Sequence, residues 1–382
     1  MTTSKQTDNR MAWIRNLEAV KSTKKMQTVE HEFESECRIP GLLDYANQKL
    51  LCGMIVTNEE PGTSPYQYSL QIQYPDDYYD YKPSDATKGG YYFPEEIGGE
   101  LLSLFSVFFQ CRFFQTATNS CRLTSMGLPV RMVYRRQPHV RLSPDLHPKV
   151  LQDNASRKFG TGLGDFLDKV HGLDAAKHKR FIFACWHYAR ALREIGLDSE
   201  MVFIRLVSAI EFLAEGGTLP MAKNPLEGAD FESILAPGAL SDQQVAQLKK
   251  LLRVDRHGKI RVRKHKAQFI QFINEHSKGC LKGGNWKAKG LKIQRKDIPK
   301  VAGTIYDARS AYLHTGEPMY LSQFVRNPRS WDMDPGLGMM IDKKRFPASK
   351  KLPYTYWFED LVRCCLLNYL EHHSSTSDHT DT

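Results

Sequence analysis

The segment Tyr306-Asp307-Ala308-Arg309-Ser310-Ala311-Tyr312-Leu313-His314-Thr315-Gly316 sets an arginine and a histidine apart by four residues. These two side-chain types have the chemistry to break an RNA phosphodiester without a metal. An imidazole accepts the ribose 2′-OH proton or protonates the departing 5′ oxygen, because its charge changes near neutral pH. A guanidinium grips the charge that builds on the phosphoryl oxygens through two parallel N–H donors.

Spacing alone selects nothing. The chain holds 24 Arg and 13 His, and three Arg/His pairs have four to six residues between them: Arg309/His314, Arg141/His147 and Arg180/His187. Context separates them. Arg141/His147 spans Ser143-Pro144 and precedes Pro148, so it reads as loop. Arg180/His187 opens a long helical stripe, where a packing role suffices. Arg309/His314 ends a helix just before a Thr-Gly stop. On a regular helix the two side chains sit about 140° apart. They meet on one phosphate only if the helix end distorts or a second copy supplies the partner group, and this favours a dimeric site.

The elements that must position the pair are helical. Arg180–Ile195 places Ile182, Cys185, Trp186 and Ala189 on one face, and Ser199–Glu215 aligns Phe203, Leu206, Val207, Ile210, Leu213 and Ala214 before Gly216-Gly217. Asp242–Arg253 and Lys264–His276 are weaker amphipathic helices. Pro299–His314 carries the pair, and Tyr354–Glu371 closes the array. The first half is mixed: strands over Lys49–Thr57 and Tyr66–Tyr74 about Pro61-Gly62, a long loop to Tyr92, a helix over Glu95–Phe114 behind Pro94, and strands at Leu128–Tyr134 and His139–Leu142. The expected fold class is α+β. A small mixed domain over residues 1–160, of sensor or regulatory character, precedes an all-α helical bundle over 165–372. The polar tail 373–382 is expected to be disordered.

The net charge of +10 is unevenly spread. Residues 249–300 hold 17 Lys and Arg against three acids, so the rest of the chain is slightly acidic. Such density attracts a polyanion, and Arg261, Arg263, Lys264, Lys266, Lys287, Lys289, Lys292 and Arg295 are the expected nucleic-acid contacts. Phe269, Phe272 and Trp286 lie among them as candidate stacking groups for unpaired bases.

Other chemistry is excluded. Gly160-Thr161-Gly162-Leu163-Gly164 lacks the G-K-[ST] and G-x-G-x-x-G patterns of a phosphate loop and reads as linker, and neither G-x-S-x-G nor H-E-x-x-H occurs. His372-His373 are not expected to bind metal, and Cys364-Cys365 read as core atoms. Eight cysteines without a C-x-x-C pair argue against a zinc ribbon and a disulfide framework. Leu101–Phe114 is too short and too polar to cross a membrane. Met1–Trp13 lacks the apolar centre of a signal peptide. A reduced, cytoplasmic protein is expected.

The helical half resembles the HEPN superfamily in its ApeA-like branch. Four segments carry the resemblance in order: FIFACWHYARAL, the Ala209-Ile210-Glu211-Phe212-Leu213 run, YDARSAYLHTG and WFEDLVRCCLLNYL. The R-x4-6-H signature of that family falls on Arg309 and His314, with Ser310 where many members carry Asn. The resemblance implies a metal-independent endoribonuclease with no cofactor and its site at a homodimer interface. It further implies a toxin or anti-phage role, with a phage-derived or regulatory ligand for the N-terminal domain. Residues 249–296 then read as a basic insertion that binds substrate. Glu211 is a candidate to hold Arg309, Asp307 to orient His314, and Tyr312 to stack on a base. The competing reading is a non-catalytic helical module that binds nucleic acid or a nucleotide.

Overall fold

The computed structural model describes residues 12–22, 25–35, 43–46, 48–53, 66–75, 96–120, 130–133, 161–215, 230–234, 241–252, 265–280, 293, 295–319, 340–341, 344–345 and 352–374. Helix α1 (Ala12–Ser22) precedes strands β1 (Met26–Ser35), β2 (Leu43–Tyr45), β3 (Gln48–Gly53) and β4 (Tyr66–Pro75). Helix α2 (Glu96–Phe109) leads into β5 (Phe114–Ser120) and β6 (Val130–Val133). Then come α3 (Thr161–His171), α4 (Ala175–Glu194), α5 (Ser199–Ala214), α6 (Phe231–Ile234), α7 (Asp242–Leu252) and α8 (His265–His276). Helix α9 (Ile298–Thr315), the short pair β7 (Met340–Ile341) and β8 (Lys344–Arg345), and α10 (Thr355–Ser374) complete the chain. The class is α+β, mostly helical. Among the described residues no helix is long and apolar enough to cross a membrane.

The antiparallel sheet runs β2-β3-β4-β1-β5-β6. In β1 alternate residues Val29, His31 and Phe33 are buried, facing Ile72, Leu70 and Tyr68 of β4. This is the period-two pattern of a sheet with one covered face. His31 stands in that inward row within 3.3 Å of Tyr74 Oη and Thr118 Oγ1. Burial holds it neutral, with its pKa lowered to about 4. Helix α2 closes over the sheet at Gly98, where a Cβ would stand 2.7 Å from His31 Nδ1.

The helix expected over Glu95–Phe114 stops at Phe109, and the Phe-rich run continues as β5. Gln110 turns the backbone at φ 56°, a left-handed conformation a side chain adopts at a cost. Its amide is held there, donating to Glu359 Oε2 at 2.8 Å and Asp360 Oδ1 at 3.0 Å. Arg363 on α10 satisfies carbonyls that the end of α2 leaves open, donating to Val107 O at 2.6 Å and Phe108 O at 2.7 Å. Arg193 Nε of α4 donates to Phe113 O at 2.9 Å. One hydrophobic core therefore runs from Trp13 and Phe33 through Phe105 to Phe181, Phe203 and Trp357.

Several expectations need correction. The Gly160–Gly164 stretch read as linker starts helix α3 from Thr161 onward. Helix α1 and strands β1 and β5 were not anticipated. Cys280 and Cys364 form a disulfide, with Cα atoms 5.6 Å apart, although the scattered cysteines argued for thiols throughout. Their partnership arises because the turn after α8 folds back on α10, a contact between positions 84 apart. Cys365 is a buried core thiol, its pKa raised by burial. The strand expected at His139–Leu142, the turn at Pro61-Gly62 and the pair Arg141/His147 lie outside the described residues.

Candidate active site at the end of α9

Helix α9 starts with Pro299 in its first turn and ends at Gly316, whose left-handed φ of 70° and N–H to Tyr312 O stop it. Ile298, Ala302 and Ile305 form its buried stripe. Arg309 follows Ile305 by one turn, so its stem continues that stripe and its side chain is only 20% exposed. Its Nη2 donates to Glu211 Oε2 of α5 at 2.8 Å, and its guanidinium carbon lies 5.9 Å from the Tyr306 ring centroid. Arg309 Nε is buried with no hydrogen-bond partner among the described residues. His314 lies on the opposite, exposed side of the helix end.

The two side chains nonetheless line one cavity of about 710 Å³. From α9 it takes Tyr306, Asp307, Arg309, Ser310 and His314. Glu211 and Glu215 of α5 form a second wall, and His265 and Lys266 of α8 a third. The helix remains regular to Thr315, so no distortion brings Arg309 and His314 to this space. Residues from both edges of that helix face line it.

The supporting candidates divide. Glu211 holds Arg309, at 19% side-chain exposure. Asp307 instead pairs with Lys266, which donates to its carboxylate oxygens at 2.6 and 2.7 Å. Among the described residues nothing hydrogen-bonds to His314. Tyr312 packs half-buried against the core and does not line the cavity. Of the basic contacts, Lys266 lines the cavity and Arg295 is exposed in a short 3-10 turn ahead of α9. Arg261, Arg263, Lys264, Lys287, Lys289 and Lys292 lie outside the described residues.

One expectation fails here. Phe269 and Phe272, read as base-stacking groups, are 0% and 6% exposed and fill the core with Ile273. They face inward because α8 packs between α5, α9 and α10. Trp286 lies outside the described residues. His187, the partner of Arg180 in the competing pair, stacks on Phe212 at 5.2 Å with its pKa lowered to about 4, by burial first and then by Arg205 and Arg190. That ring is a packing element.

Reading along the sequence missed His265, Glu215 and Ser310. Glu215 follows Glu211 by four residues on a helix, which places both on one face. His265 stands at the first position of α8, between Lys264 and Lys266, where the basic run drew attention to its lysines alone.

No family model, no curated protein and no solved structure matches the chain.

Proposed function

We propose that the chain is a metal-independent endoribonuclease of the HEPN type, acting as a toxin or anti-phage effector on RNA. One observation carries this reading: Arg309 and His314 line one cavity, with Arg309 anchored by Glu211. The guanidinium supplies charge for the phosphoryl oxygens, and the exposed imidazole supplies or removes a proton. The resemblance adds a homodimer, which would set two such cavities side by side.

A second reading, a non-catalytic module that binds nucleic acid or a nucleotide, draws on the two cations that line the cavity, Lys266 and Arg309. Arg309 and Lys266, the two permanent cations of the cavity, are each already paired with a carboxylate. A phosphate must compete with Glu211 and Asp307 for them.

Cleavage of RNA in EDTA by wild type, His314→Ala and Arg309→Ala separates the two. The nuclease reading expects cutting by wild type, with a loss of about 100-fold or more in each variant. Equal RNA binding by all three proteins with cutting by none would establish the binding module instead.

A further inference from the structure

Resting on the nuclease reading, we propose that His265 is a second catalytic residue, the general base to the general acid of His314. Breaking an RNA strand by transesterification moves two protons at two places. The 2′-OH loses its proton as its oxygen bonds phosphorus. The P–O5′ bond breaks, and O5′ needs a proton to leave. One imidazole cannot stand on both sides of the phosphorus at once.

Among the described histidines only two line the cavity, and they sit on different helices. His31 and His178 are fully buried. His187 and His276 pack on Phe212 and Phe272. His265 is exposed at the start of α8, and His314 is exposed at the end of α9.

The packing of the two helices fixes their offset along the α9 axis. A Cβ at Gly303 would meet Ile270 and Lys266, and Lys266 also reaches Asp307. Helix α8 therefore runs antiparallel to α9, with its first residues level with Asp307. His314 stands seven residues further on, about 10 Å along the axis. Both rings line the cavity from positions so offset, so a phosphoryl group held by Arg309 can have one imidazole on each side.

The helix ends also divide the roles. The C-terminus of α9 is the end of that helix dipole that interacts favourably with positive charge, and His314 there takes the acid's role. The N-terminus of α8 has the opposite sign, and His265 there takes the base's role. Glu211, Glu215, Lys266, Asp307 and Arg309 share the cavity with the two rings.

In the balanced step, His265 takes the 2′-OH proton while the O2′–P bond forms. Arg309 holds the phosphoryl oxygens, and the His314 imidazolium gives its proton to O5′ as P–O5′ breaks. The products are a 2′,3′-cyclic phosphate and a 5′-OH. The two imidazoles finish with exchanged protonation, which water resets.

The test is single-turnover cleavage in EDTA across pH 5 to 9 by wild type, His265→Ala, His265→Gln and His314→Ala. Each protein receives ordinary RNA and RNA whose scissile 5′ oxygen is replaced by sulfur, a leaving group that needs no proton. Both His265 variants are expected to bind RNA like wild type, lose about 100-fold or more in rate, and lose the acidic limb of a bell-shaped profile. Sulfur is expected to rescue His314→Ala but neither His265 variant. A His265→Ala protein within about threefold of wild type, with the same profile, would overturn the pair and leave the nuclease reading standing. Rescue of His265→Ala by sulfur would overturn its assignment as base. Wild type inert on both substrates overturns the nuclease reading and the pair together.

Discussion

Arg309 is the most constrained functional group of the cavity. Its stem lies in the core stripe of α9, its Nη2 is fixed by Glu211, and its guanidinium stands near the Tyr306 ring. A half-buried guanidinium with one carboxylate partner keeps its direction, and direction is what a phosphoryl grip needs. Glu211→Gln preserves shape and removes charge. It is expected to lower the RNA cleavage rate about tenfold while RNA binding holds or rises, measured as kcat against Kd. A Glu211→Gln enzyme with unchanged kcat would show that the carboxylate neutralises Arg309 without positioning it. At this scale the sequence was partly legible. The Arg/His pair and Glu211 stood out from helix boundaries and stripes. The partner of Asp307 did not, because Lys266 reaches it from a helix 41 residues away. Phe269 and Phe272 were misread because a basic run suggested solvent, whereas their spacing with Ile273 marks an inward face.

The elements hold the site through α8, which packs against α5, α9 and α10 and offers His265 and Lys266 to the cavity. Its far end is tied down by the Cys280–Cys364 disulfide and by Asn368, whose Nδ2 donates to His276 O at 2.7 Å and Lys278 O at 3.0 Å. A cross-link closing a loop of this length restricts the unfolded chain and stabilises by about 2–4 kcal/mol. Cys280→Ser is therefore expected to lower Tm by several degrees under non-reducing conditions, and a reductant to do the same to wild type but not to the variant. An unchanged Tm in Cys280→Ser would remove the clamp from the account. Long helices with clear stripes, such as α4, α5, α9 and α10, were readable within a few residues. Strand β1 was not, because a histidine occupies one of its inward positions and acids fill the outward ones. Strand β5 was hidden by the Phe run, which serves a helix and a strand equally well and divides only where Gln110 is held by α10. Cysteine pairing across 84 residues leaves no local trace.

Over the whole molecule, the sheet and the helices share one core, and the polar contacts that join them are buried. Glu359, fully buried on α10, accepts from Gln110 and from Tyr188 Oη. The covered face of the sheet contains His31, kept neutral by burial with its pKa lowered to about 4. An unfolded chain binds a proton at this residue below pH 6.5, and the folded chain does not until about pH 4. Stability is thus fully present above pH 6.5 and falls as the pH drops towards 4, by about 2–3 kcal/mol for this group. Urea unfolding at pH 7.5 and 4.5 is expected to show that loss in wild type and a smaller one in His31→Gln. Equal losses in both proteins would mean that His31 does not set the acid limit.

The chemistry proposed for Arg309 and His314 would leave RNA ends of a defined kind. Purified wild-type protein, incubated with a defined RNA in EDTA, is expected to give fragments ending in 2′,3′-cyclic phosphate and beginning with 5′-OH, resolved by mass spectrometry. The same RNA carrying a 2′-deoxy residue at the cut site is expected to stay whole. Fragments ending in 3′-OH and beginning with 5′-phosphate, or cutting at the deoxy site, would contradict the account.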